Sequence, residues 1–264
     1  MKDYKKPFEE IKKLVEKQNY EEAADRMEPF MEEIEEAYAS LKGHTFSFNH
    51  ILEVYEYEYF KKPLTPPEYT DINLSAFYRF YGFVLMHLEL FTESIEAYEK
   101  ALSWNPVDLD AILQLVELYK RTGELEKVKE YSFLCYDFCC TRATLARFYR
   151  GLGFYYLETK QPDIAIPLYI YSNIYYETKQ ANNELEFLEK ALNKPLKQYT
   201  IPELQDILKA NQIPIGPNPD TLGIAYRVGQ LELEAGNLDN ARDCFTMVYD
   251  LTLDAEVKEI LERI

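Results

Sequence analysis

One stretch, Ser75 to Asp108, constrains this chain more than any other. Within it Tyr78, Tyr81, Gly82 and Leu85 are followed by Tyr98, Ala101 and Pro106. The spacing returns twice: Gly153 precedes Tyr169 and Gly229 precedes Phe245 by the same sixteen residues that separate Gly82 from Tyr98. Tyr149, Leu152 and Tyr156 then stand where Tyr78, Tyr81 and Leu85 stood, and Ala225 and Val228 repeat the first two. A recurring unit of this size cannot bury its apolar face alone, so its copies must stack on one another.

Composition narrows the classes of work. The chain has 264 residues, 47% of them hydrophobic, and only 9 Gly, enough for one sizeable core or for an array in which each unit touches its neighbours. Lys and Arg total 29 against 46 Asp and Glu, a net charge of -17. So negative a surface repels phosphate backbones, which argues against nucleic acid as a partner. The longest apolar run, Ile164 to Tyr176, is broken by Pro167, Ser172 and Asn173, so no membrane span is expected. The first residues, MKDYKKPFEEIKKLVEK, offer no apolar core of a signal peptide, and a cytoplasmic location is expected. Cys135, Cys139, Cys140 and Cys244 are too few and too uneven for a disulfide framework. No His or further Cys lies at a zinc-ligand spacing from them, so they read as small apolar fillers of a helix interface, with no metal.

The residues of 75–108 resemble the tetratricopeptide repeat, with Ser94 where that family usually carries Ala. The resemblance implies an all-α fold, a right-handed superhelical solenoid of antiparallel helix pairs spanning 1–264 as a single domain. In its register, repeats are expected at 4–37 (degenerate), 75–108, 109–142, 146–179 and 222–255, with irregular segments at 43–73 and 180–221. Gly82, Gly153 and Gly229 then fall where paired helices come closest, with Ala165 and Ala241 on the partner helices. Pro29 is expected to kink the second helix, and Asp71 or Asn73 to cap the helix that follows the prolines at 63, 66 and 67. Phe46 to Tyr59 reads as one aromatic helix, Thr141 to Thr144 as a lengthened turn, and Lys194 to Ile201 as a loop. No strand is expected, because the tyrosine runs lack hairpin turn signals.

In such arrays the first helix of each pair lines an inner wall, and the resemblance carries its groove positions onto Arg79, Phe83 and His87, then Lys120, then Arg147, Arg150 and Phe154, then Tyr226 and Gln230. Arginines beside aromatics in so acidic a chain suit a peptide with an acidic group or a free carboxylate, because a guanidinium grips a carboxylate with paired hydrogen bonds. The simpler role for each arginine is an ion pair with a neighbouring helix. The family's carboxylate clamp is not carried over, since Phe83, Glu117 and Phe154 stand where it needs Asn.

The expected function is therefore a non-enzymatic protein- or peptide-binding scaffold without cofactor. Two alternatives stand beside it: a structural assembly subunit whose groove is filled by its own chain or by a second copy in a homo-oligomer, and an intracellular sensor of signalling peptides. His44, His50 and His87 are the only histidines, and none shares a motif with a nucleophile or a metal ligand, which argues against an enzyme.

Overall fold

The computed structural model describes residues 4–41, 43, 45–193 and 195–264. His44 and Lys194, the first residue of the expected 194–201 loop, lie outside the described residues. The chain is all-α, with fourteen helices among the described residues packed mostly on their neighbours in sequence. It divides into two compact units, Met1–Thr122 and Gly123–Ile264.

In the first unit α1 (Lys5–Glu16) packs on α2 (Tyr20–Tyr38), α2 on α4 (Leu74–His87), α4 on α5 (Phe91–Trp104) and α5 on α6 (Leu109–Thr122). Helix α2 continues unbroken through Pro29, where a kink was expected. Pro29 and Asp25 are both exposed, so the carbonyl that loses its donor faces water. The cap of α4 is Asn73, whose Oδ1 accepts from Ala76 N at 2.9 Å.

The segment before α4 departs from expectation. Helix α3 (Ile51–Lys61) starts five residues after Phe46, because a capping box fixes its origin. His50 Nδ1 accepts from Leu52 N at 3.1 Å, and Glu53 accepts from the backbone of Asn49 and of His50. Phe46 thus joins a two-residue strand, β1 (Thr45–Phe46), parallel to β2 (Glu68–Tyr69). Pro63, Pro66 and Pro67 hold the returning leg extended, so a strand forms where none was expected.

The second unit holds α7 (Leu125–Tyr136), α8 (Arg142–Glu158), α9 (Pro162–Tyr175), α10 (Lys179–Leu192), α11 (Ile201–Ala210), α12 (Pro219–Glu234), α13 (Leu238–Thr252) and α14 (Ala255–Leu261). Helices α7, α8 and α9 pack in succession, α10 and α11 both rest on α9, and α12, α13 and α14 form a second series. The boundary between units falls in the turn after α6, so the helices expected at 109–142 belong to different units. Residues 141–144 are not a lengthened turn: the Thr141 hydroxyl accepts from Thr144 N at 3.2 Å and starts α8 at Arg142.

Each regular pair turns on a glycine against a ring. A Cβ on Gly82 would stand 2.8 Å from the Tyr98 ring; on Gly153, 3.2 Å from Tyr169; on Gly229, 3.1 Å from Phe245. Tyr98, Tyr169 and Phe245 are all buried and cannot withdraw without leaving a void. Gly223, also helical, has nothing within 4 Å of the same position. Gly82→Ala is expected to destabilise by about 1–3 kcal/mol through overpacking, and Gly223→Ala to stabilise by about 0.5–1 kcal/mol through helix propensity, both read as shifts of the thermal midpoint.

Glu56 on α3 is 4% exposed. Burial first, and then the charge of Glu53, hold its carboxyl well above the usual carboxylate range. A raised folded-state value makes the stabilising contribution complete below the unfolded-state pKa and lost as pH climbs toward the folded one. Thermal or urea melts of Glu56→Gln against wild type should accordingly diverge in that window, the variant gaining by about 1.4 kcal/mol per pH unit.

Candidate protein-binding surface

In the first unit, α4 carries Arg79, Phe83 and His87 at successive turns. Arg79 is committed to acids at the start of α6. Its Nη1 lies 2.6 Å from Asp110 Oδ2 and its Nε 3.2 Å from Asp108 Oδ2. Asp108 is 1% exposed and also accepts from Ser75 Oγ at 2.8 Å, Asn49 Nδ2 at 2.9 Å and the Ala111 amide at 3.1 Å. The network continues through Asn105, which donates to Glu53 at 2.8 Å. Burial, then the charge of Asp108, raise the Glu53 carboxyl, while the donors from Asn49 and Asn105 oppose that rise.

Half-buried Phe83 and exposed His87 come together in an aromatic patch. The His87 ring stacks on Tyr20 at 4.4 Å and leans on Phe83 at 4.2 Å, with Tyr20 and Phe83 6.4 Å apart. His87 Nδ1 lies 2.9 Å from the Phe83 carbonyl; a carbonyl only accepts, so this nitrogen carries the proton and Nε2 is left as the acceptor of the neutral ring. Tyr20 is the member that sequence reasoning missed; its spacing as the first residue of α2 gave no sign that it meets α4. Lys120, on α6, is half-buried with its Nζ 2.9 Å from Glu117.

In the second unit, Arg147, Arg150 and Phe154 lie on α8 and are half-buried. Arg150 donates to Ser172 Oγ at 3.2 Å and to the Tyr176 carbonyl. Arg142, which sequence reasoning did not single out, donates to the carbonyls of Tyr175 at 2.9 Å and Ile174 at 2.8 Å. Together the two guanidiniums serve the last carbonyls of α9, which a helix end leaves without internal donors. On α12, the Tyr226 ring meets Phe245 edge-on at 5.7 Å, and Gln230 accepts from Arg227 at 3.3 Å.

The remaining candidates are structural. Cys135, Cys139 and Cys244 are buried, and the Cys135 thiol donates to the Ser132 carbonyl at 3.0 Å. Burial, reinforced by Cys135, pushes the Cys139 thiol well up, the wrong direction for a nucleophilic thiolate. Among the described residues no group of three or more His, Cys, Asp and Glu could hold a metal ion, and no helix is long and apolar enough to cross a membrane.

Consecutive packed helices with a glycine under a ring in each regular pair define a helical-repeat protein. Residues 78–108 match the family model of the tetratricopeptide repeat, and the chain carries that repeat at α4 and α5. No curated protein matches the chain.

The contacts of Arg79 define its first effect. Arg79→Ala leaves the buried Asp108 carboxylate without its cation and should lower stability by about 2–3 kcal/mol, whereas Arg79→Lys should recover only part of the loss because one ammonium cannot span two carboxylates. Equilibrium urea unfolding of the two variants separates these outcomes.

Proposed function

We propose that this chain is a non-catalytic protein-interaction scaffold that takes a peptide segment on the first-helix faces of its repeats. The observation that carries the reading is the patch of Phe83 and His87 against Tyr20, on the helix that opens the matched repeat. Rings already held by their neighbours lose little freedom when a partner's apolar side chain covers them, and such preorganised aromatic contacts dominate binding surfaces.

In its finer form the segment bears an acidic group or a free carboxylate; its candidate readers are Arg79 and Lys120 within the first unit and, taken by themselves, Arg147, Arg150 and Phe154 on α8 and Tyr226 and Gln230 on α12 within the second. The internal acceptors of Arg79 and Arg150 offset part of their charge, which makes the aromatic patch the main source of affinity and the arginines a source of orientation.

A peptide library probed with the wild-type chain and with Phe83→Ala/His87→Ala tests this. Peptides pairing an aromatic or aliphatic residue with an acidic one should bind the wild type, and the double variant should lose about tenfold or more, the loss expected of a small hot spot. Equal binding by both proteins, with the variant folded by circular dichroism, would overturn the assignment.

A further inference from the structure

The segment that interrupts the repeats, residues 43–73, has a cleft of its own. Its two legs enclose about 400 Å³, a volume in the range of ligand pockets, lined by Phe46, Phe48, Tyr69 and Asp71 among others. We propose that this cleft seats a lysine or arginine side chain of a partner protein, delivered by an extended segment lying along β2. The site is separate from the patch at Phe83 and His87, and its failure would leave that reading standing.

The walls are aromatic and held in place. Phe46 and Phe48 stack at 5.9 Å, Tyr57 backs them at 4.6 and 5.5 Å, and Tyr69 meets Phe48 edge-on at 6.0 Å. The neutral polar groups of the legs bind each other. Ser47 Oγ donates to the Ile72 carbonyl at 3.0 Å, Asn73 Nδ2 donates to Asn49 Oδ1 at 3.0 Å, and Thr70 N donates to the Phe46 carbonyl at 3.0 Å. The cleft is therefore preformed, which spares a ligand the cost of ordering it.

Charge selects the occupant. Asp71 is exposed at the lip, where the Tyr38 hydroxyl donates to its Oδ1 at 2.9 Å and orients the carboxylate. Glu58 acts on Tyr69: burial first, then this charge, push the phenol up. Among the described residues the lining includes no lysine or arginine. An apolar plug would strip water from Asp71 and leave its charge only the neutral Tyr38 hydroxyl, and an acidic one would be repelled. A cation gains both the negative ring faces and the carboxylate.

The source is a protein segment because the sheet has two strands, which leaves β2 an outer edge, and both Glu68 and Tyr69 are exposed along it. An open edge beside a pocket is the arrangement by which extended peptides are read: backbone on the edge, side chain in the pocket.

The test is a chemical-shift titration of the isotope-labelled full chain with a short glycine–serine peptide bearing one central arginine. Its control replaces that arginine with citrulline, the same shape without charge. Saturating shifts confined to residues 46–51 and 69–73, about fivefold weaker for citrulline and about fivefold weaker in Tyr69→Ala and in Asp71→Asn, would support the assignment. Tyr69 is 56% exposed and its removal spares the core, so loss of binding there is not loss of fold. Shifts spread over the glutamates of α2 and indifferent to both substitutions, or equal binding of the citrulline peptide, would overturn it.

Discussion

Everything regular in this protein depends on a backbone meeting a ring. Where Gly82 lies under Tyr98 the partner helices approach more closely than a methyl group would allow, and where Gly153 and Gly229 lie under Tyr169 and Phe245 a methyl group would fit only if the ring gave way slightly. The ring covers the glycine, so the dispersion contacts that a side chain would have supplied come from across the interface. The three contacts share one spacing but serve different neighbourhoods: Tyr98 sits beside α4, Tyr169 joins the cluster around Ala181 and Leu188, and Phe245 receives the Tyr226 ring. One local rule thus produces helix pairs on which unlike surfaces are built.

The irregular segment is held by polar chemistry instead. Asn49, Glu53, Asn105, Asp108 and Arg79 form one network that ties α3 and its preceding leg to the ends of α4 and α5. Buried carboxylates are costly, and the donors gathered around Glu53 and Asp108 repay that cost only while all stay in place. The anchorage is consequently more demanding of geometry than apolar packing would be, and it sets the registry of the two legs around their cleft.

These two kinds of construction explain what could be read from the sequence. The glycine–aromatic pairs were legible because both partners sit at a set interval along the chain, and so were Phe83 and His87, which share a helix face one turn apart. Tyr20 was not, because its meeting with His87 depends on how α2 packs on α4. For Arg79 the simpler reading, an ion pair with a neighbouring helix, is what Asp108 and Asp110 supply; the acceptors of Arg150 were hidden, because they lie at the spatial end of α9. The β1–β2 pair was illegible for another reason, since two residues per strand carry no periodic signal.

Between those strands, the prolines at 63, 66 and 67 frame a tip on which Leu64 is entirely open to solvent. No interior depends on that side chain, and chain tips of this kind accept added sequence readily. It is a natural mooring point for a reporter: a dye or an inserted tag at Leu64 would ride on the connection between α3 and β2 while the helix pairs kept their own contacts.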